Sequence, residues 1–380
     1  MNQDVKRSYL DWAATAIPDI TITDSVFGNP SSLHTEGRQA KKALESARCR
    51  CAQVLGVPAD SLYFTSGGTE ANALVLHSLL LRRGKGRLLY SGIEHPSVRE
   101  NCLMLEKLGI VTGLIGVEKD GRVTELSLTK ALEKYPDARF AALMAVNNET
   151  GARMDIAALT SKLRHRQKVH CHCHCDLVQA IGKVHVDIKQ WDIDSAALSA
   201  HKLGGPRGIG LLYLKKPIES FYAGGGQEKG MRPGTENTSG ALAMAAVLER
   251  RFNPGSLRIE EEKARERFKY LISELKKIKR CSLIPQDRGE DDSRFSPWIL
   301  QVRFRGVPGA VMVRALDDTG VAVSTGSACS SNERERPVLA AMGLDETAQL
   351  EGVRISQGWS TDKSDFDYLL SGIKNALSFL

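Results

Sequence analysis

The run Val169-His170-Cys171-His172-Cys173-His174-Cys175-Asp176 and the turn Ser199-Ala200-His201-Lys202-Leu203-Gly204-Gly205-Pro206 decide how this chain is read. The first is a strand whose side chains alternate between two faces and whose last residue is an acid. The second follows a short apolar strand at 196–199 and sets a lysine among small residues, 26 positions after Asp176. Outward from this pair, further short strands fall at 62–65, 88–90, 141–146 and 208–214. Helical patterns lie between them at 36–55, 70–83 and after Glu94-His95-Pro96-Ser97; the first has the stripe Ala40, Ala43, Leu44, Ala47, Val54. This alternation predicts an α/β fold with a mostly parallel sheet covered by helices on both faces.

Residues 1–35 read as extended or looped, and the glycines from Gly224 to Gly234 as an irregular loop. Asn253-Pro254-Gly255 is expected to break a helix reaching about 251. A charged amphipathic helix at 257–280 then leads to strands at 299–304, 320–324 and 353–356 and a final helix, a smaller C-terminal α/β unit. With 380 residues, one large and one small domain are expected. The net charge of +7 is mild, and no basic block with interleaved aromatics occurs, so direct nucleic-acid binding is not expected. No run approaches the roughly 20 apolar residues of a membrane span, and the N-terminus does not read as a secretory signal. Eight cysteines in such a chain fit reduced thiols in a cytoplasmic protein.

The polar residues with chemical potential gather where strands end, the usual ligand edge of an open α/β sheet. Lys202 and Asp176 are what pyridoxal 5'-phosphate needs: an amine to hold it as a Schiff base, and an acid to keep its ring nitrogen protonated. Thr65-Ser66-Gly67-Gly68-Thr69 is either an ordinary helix cap or a phosphate cradle of bare amides plus a hydroxyl. His95 can stack on a flat ring, move protons, or be purely structural. Asn147 and Asn148 can form a turn or bind a ligand, and Gln179 can present its amide beside Asp176. Cys329, in Ser327-Ala328-Cys329-Ser330-Ser331, is either a spare thiol or a nucleophile on a small-residue segment; with a pyridoxal site it points to sulfur transfer. The Cys-His run at 170–175 holds good zinc ligands, but spacing along one apparently central strand does not make a site, and no metal is expected.

The combination resembles the cysteine desulfurases, pyridoxal phosphate enzymes of the class V aminotransferase family. The likeness runs nearly end to end: Tyr9-Leu10-Asp11 with Ala13-Ala14-Thr15, Gly28 to Ser32 with His34, Thr65 to Glu70 with Asn72, Glu94-His95, Val146 to Gly151, His174 with Asp176 and Gln179, His201-Lys202, Gly224 to Thr235, and Ser327 to Ser331. The short serine-rich cysteine segment is similar to the bacterial branch that supplies iron–sulfur cluster assembly or tRNA thiolation.

The resemblance implies a fold-type I enzyme with a seven-stranded, mostly parallel sheet in a large domain, 16–256. Residues 1–15 and 257–380 would form a small domain carrying the cysteine loop. Lys202 would bind the cofactor, His95 stack on it, Asp176 pair with the ring nitrogen and Gln179 with the ring oxygen. Gly68, Thr69, Ser199 and His201 would hold the phosphate, with Thr235 from the other subunit of a homodimer whose active site lies at the interface. Arg354, Asn148 and Asn29 would bind the carboxylate of L-cysteine. Cys329 would take the sulfur as a persulfide and pass it to a protein acceptor, a scaffold or thiolation protein. A selenocysteine lyase or other lyase on this scaffold, and a non-catalytic homologue acting as a scaffold subunit, are the alternatives. Two departures stand out. Trp12 replaces a usual asparagine and would set a large ring near the site, and Asn332-Glu333-Arg334-Glu335-Arg336-Pro337 replaces a less charged segment.

Overall fold

The computed structural model describes residues 7–19, 26–82, 86–165, 170–326 and 336–380. The chain starts with a two-residue strand, β1 (Ser8–Tyr9), and a long helix, α1 (Thr35–Leu55). His34 caps α1 with its ring, and Gly56 ends it in the left-handed conformation (φ 67°). Then come β2 (Leu62–Thr65), α2 (Gly68–His77), β3 (Arg87–Ser91), α3 (Pro96–Lys107), β4 (Thr112–Ile115), α4 (Glu125–Lys134), β5 (Ala138–Met144) and α5 (Ile156–Arg164). Next are β6 (His172–Asp176), β7 (Ser195–Ser199), β8 (Gly210–Leu214), α6 (Thr238–Arg251) and α7 (Pro254–Leu275).

These strands form one seven-stranded sheet in the order β2-β8-β7-β6-β5-β3-β4. All neighbouring pairs are parallel except those of β8, which runs against both β2 and β7. Helices cover both faces, each with its own apolar core. β6 shows why. Its cysteines Cys173 and Cys175, with Cys171 just before them, sink into the larger core. His172, His174 and Asp176 turn to the opposite face.

A second sheet, β9 (Cys281–Ile284), β10 (Ile299–Phe304) and β12 (Gly352–Ser356), is antiparallel in the order β12-β10-β9; between them β11 (Val321–Ala322) pairs in parallel with β1. Its core includes Leu10 from the N-terminal segment, Phe268 and Leu271 of α7, and Phe366 and Leu369 of the last helix.

Several boundaries differ from expectation for local reasons. Asn253-Pro254-Gly255 does separate two helices, α6 ending at Arg251 as expected, but it also starts the second, which begins at Pro254 and not at 257. The Asn253 side chain accepts the amides of Gly255 (3.1 Å) and Ser256 (3.5 Å), and Pro254 sits at the first helical position, where it has no amide to lose. α7 ends at Leu275 and not at 280. α2 tightens into a 3-10 turn after His77. β5 stops at Met144, because Asn147 Oδ1 accepts the amides of Glu149 and Thr150, both at 2.9 Å, and turns the chain. β4, α4, α5 and β9 come from short segments that the sequence pattern did not single out.

The Gly224–Gly234 loop holds a buried ion pair. Glu228, at a positive φ of 46°, takes both terminal nitrogens of Arg48 at 2.7 Å and the Phe64 amide at 2.8 Å. Among the described residues no helix is long and apolar enough to cross a membrane, no disulfide joins the cysteines, and no metal-ligating cluster forms.

Candidate active site

β2, β3, β5, β6 and β7 all point the same way, and the loops beyond their carboxyl ends bring the chemically able residues together. β2 leads into Gly67-Gly68-Thr69 at the start of α2. Gly67 caps that helix without a side chain, so its first amides remain available to an anion. A Cβ on Gly68 would lie 2.6 Å from Val178 Cγ2, and one on Gly67 would lie 3.7 Å from Ser199 Oγ. The turn is thus pressed against the ends of β6 and β7, with the exposed Thr69 at its rim.

Asp176 ends β6, beside Ala197 of β7. It is 6 % exposed; its Oδ1 accepts the Val178 amide and its Oδ2 the Asn72 side-chain amide, both at 2.9 Å. Ser199 ends β7, and His201 and Lys202 follow in a single 3-10 turn. Lys202 Nζ donates to the carbonyls of Ala13 (2.5 Å) and Ala14 (2.7 Å). Gln179 Nε2 donates to the same Ala13 carbonyl at 2.8 Å, and Gln179 Oε1 accepts from Lys183 Nζ, also at 2.8 Å. The N-terminal segment therefore ties Asp176's neighbour Gln179 to Lys202. Burial, then the charges of Lys202 and Arg354, bring the Lys183 amine down to about 7. Burial, reinforced by Lys202 and Lys183, keeps the His201 ring neutral down to about 4; its Nδ1 is 3.2 Å from Thr15 Oγ1.

His95 follows β3 and caps α3, its Nδ1 accepting the Ser97 amide at 3.1 Å. Burial lowers its pKa against the opposing pull of Asp176. Beyond β5, Asn147 is spent on its turn, whereas Asn148 sits beside Arg354. Arg354, on β12 and 2 % exposed, donates Nη1 to the Asn148 carbonyl (2.9 Å) and the Gly326 carbonyl (3.2 Å), and Nη2 to Asp11 Oδ1 (2.8 Å). The chain leaves the described residues at Gly326 and returns at Arg336, which pairs with Glu149 of the Asn147–Gly151 turn at 3.0 Å. Cys329 lies outside the described residues. Arg336 shows that one charge of the unusual 332–337 stretch is an anchor.

Among the described residues, no hydrogen bond joins Thr235 or Asn29 to this group. Both are exposed, Thr235 before α6 and Asn29 in a turn where its Oδ1 accepts the Ser31 amide at 2.9 Å. Trp12 does not thrust its ring among these side chains. Its indole donates to the Tyr9 carbonyl (2.9 Å), meets Trp359 edge-on (5.9 Å between centroids) and lies where a Cβ on Gly358 would be, 1.9 Å away. Gly358 makes the room that the larger residue needs. Asn72, Ser97, Lys183 and Asp11 were given no role in the sequence reading. A signal existed for Asn72: a lone amide within Ala71-Asn72-Ala73-Leu74-Val75-Leu76, on a helix otherwise apolar there.

This donor set fits pyridoxal phosphate. Helix amides, Ser199 and His201 suit a phosphate, Asp176 suits a cationic ring nitrogen, Gln179 an oxygen, and Lys202 a carbonyl carbon. Among the described residues, Asn148 Oδ1 and Arg354 Nε are buried with no hydrogen-bond partner, as expected where an amino acid would dock.

The chain belongs to the class-V aminotransferase family, whose model matches residues 8–369. Within that family it is similar to cysteine desulfurases: it is 34 % identical to cysteine desulfurase IscS of Dictyoglomus turgidum over 99 % of this chain and 95 % of that protein. It is 33 % identical to the putative cysteine desulfurase IscS 1 of Bacillus subtilis, over 93 % of this chain and 94 % of that protein. Among solved structures, a NifS-like protein superposes with a TM-score of 0.88 at 30 % identity, covering 99 % of this chain and all of that one. SspA in complex with cysteine matches with a TM-score of 0.76 at 27 % identity over 92 % of this chain and 98 % of that one. The fold is therefore that of the NifS-like pyridoxal phosphate enzymes, and the chain is an enzyme of that type.

Proposed function

We propose that the protein is a pyridoxal phosphate-dependent cysteine desulfurase that converts L-cysteine to L-alanine and loads the sulfur onto Cys329. The observation that carries this reading is the convergence of Lys202 and Asp176 on adjacent strand ends. Beside them lie the open amides of α2, and Arg354 and Asn148 stand at the edge with polar atoms unmet among the described residues. When bound, the cofactor supplies an electron sink for the substrate carbon skeleton.

The chain's own groups do the rest. Lys202 leaves the Ala13 and Ala14 carbonyls to hold the cofactor, and its freed amine moves the substrate α-proton. Arg354 exchanges Asp11 for the substrate carboxylate, a charge-assisted pair it can make in two-point fashion. The Cys329 thiolate attacks the substrate sulfur; an S–S bond forms, the carbon–sulfur bond breaks, and that carbon gains a proton. Cysteine plus thiol gives alanine plus persulfide, with no outside oxidant or reductant.

An acceptor protein then takes the terminal sulfur, for iron–sulfur assembly or tRNA thiolation. The relatives' names and the cysteine-bound neighbour support the substrate class. Thr235 belongs in this reading to a second copy's site, consistent with its exposure here. The test is cysteine-dependent release of alanine and sulfide, with Cys329→Ser and Lys202→Ala in parallel. Cys329→Ser is expected to lose sulfide release yet keep the cofactor's absorbance, and Lys202→Ala to lose that absorbance. Full turnover by Cys329→Ser would refute the persulfide step, and a colourless wild-type protein would refute the cofactor.

A further inference from the structure

Asp176 and His95 are joined by one buried chain of hydrogen bonds whose every proton can be placed. Asn72, fully buried in α2, has its Nδ2 2.9 Å from Asp176 Oδ2 and 2.8 Å from Ser97 Oγ. A carboxylate only accepts, so the Asn72 amide gives one hydrogen to Asp176 and the other to Ser97. Asn72 Oδ1 is then an acceptor, and His174 Nε2, 2.8 Å away, must carry a hydrogen.

Burial keeps the His174 ring neutral, down to about 3, so its Nδ1 is bare and accepts from Ser195 Oγ at 2.8 Å. Ser195 Oγ, its hydrogen spent, accepts from His172 Nε2 at 2.7 Å. This is what the Cys-His alternation of β6 does: its cysteine face packs the core, and its histidine face fixes an amide. At the other end the Ser97 backbone amide donates to His95 Nδ1 at 3.1 Å, so that nitrogen is bare, and Ser97 Oγ, 2.8 Å from it, donates its hydrogen there while accepting from Asn72.

We propose that Asn72 and Ser97 are positioning residues that keep His95 Nδ1 an acceptor, so that His95 faces the site as a fixed Nε2–H donor and stacking group rather than as one that takes up a second proton near neutral pH. This rests on the reading of the site given above, and it ties the state of His95 to the carboxylate of Asp176. Protonating Nδ1 would break two hydrogen bonds at once and turn two donors against a cation. The charged groups facing His95 divide: Asp176 and Glu149 favour its cation, and Lys202 and Arg354 oppose it. Burial and the double donor to Nδ1 tip the balance to the neutral ring.

The test is nitrogen NMR of the full chain labelled at histidine, with and without added pyridoxal phosphate, the His95 signal assigned by its loss in His95→Gln. Wild type is expected to show the Nε2–H form and to titrate below the ordinary histidine range. Ser97→Ala removes one donor, so His95 is expected to titrate about half to one pH unit higher, and Ser97→Thr, which keeps the hydroxyl, to return it. An Nδ1–H tautomer in wild type overturns the proposal without any variant. So does an unchanged titration in a folded Ser97→Ala, or a Ser97→Thr that behaves like alanine. Failure of the chain to bind pyridoxal phosphate, read from absorbance on the same samples, would sink the functional reading and leave the tautomer result to stand or fall by itself.

Discussion

Lys183 offers a measurable consequence of how the site is built. Its side chain is buried, 2 % exposed, and its amine donates to Gln179 Oε1 at 2.8 Å; Lys202 and Arg354 add positive charge around it. The folded value near 7 lies below the unfolded value of 10.5, so between those limits the unfolded chain binds more protons. Stability therefore rises with pH across that window, and the penalty of the buried charge is complete below about pH 7. From the two values that penalty is about 4–5 kcal/mol at pH 6 and about 2 kcal/mol at pH 9.

Lys183→Met removes the titration but leaves Gln179 Oε1 without its donor, a loss of about 1–3 kcal/mol that does not vary with pH. Urea unfolding of wild type and variant at pH 6, 7.5 and 9 is the assay. Wild type should gain about 2–3 kcal/mol on the variant between pH 6 and pH 9, with the methionine form the more stable at pH 6. A stability difference that stays flat over this range would refute the buried, partly neutral amine and, with it, the account of how Gln179 is held.

Two further outcomes follow from other buried groups. His172 and His174 have folded values of about 4 and about 3, below the unfolded 6.5, so the unfolded chain takes up their protons first as pH falls. Each should cost about 2 kcal/mol between pH 7 and pH 5; His172→Asn should flatten the acid limb of wild type by that amount in urea midpoints, and parallel curves would contradict it. Glu228→Ala leaves the Arg48 guanidinium, 2 % exposed, with only the half-exposed Glu45 and the Leu62 carbonyl, and should destabilise the protein by about 2–4 kcal/mol in chemical denaturation. A loss under about 1 kcal/mol would mean that the loop around Gly226 is not held by this pair.

The strand–turn–helix units were legible because their signals are local. Alternation over 172–176, the glycines before α2 and the small residues around Lys202 each act within a few residues, and together they gave the sheet and the edge where a ligand would sit. Asn253-Pro254 was legible as the break after α6 but not as the start of α7, because the same residues serve both ends. Short edge elements such as β4 and β9 carry too few apolar residues to register in a pattern, and they exist because a neighbouring strand offers its ladder.

By itself, the order of residues determined which chemical groups are present and near which strands they stand: Lys202, Asp176, His95 and Gln179 at or after strand ends, and Arg354 within a strand. It could not say which partner each side chain keeps, because those partners come from far along the chain. Asn72 reaches Asp176 across 104 positions, Lys202 rests on Ala13 across 189, and Arg354 meets Asp11 across 343. Only the folded sheet brings such pairs within about 3 Å, where a donor must find an acceptor or remain costly and unmet. Proton positions, and hence what His95 can do, belong to that level alone.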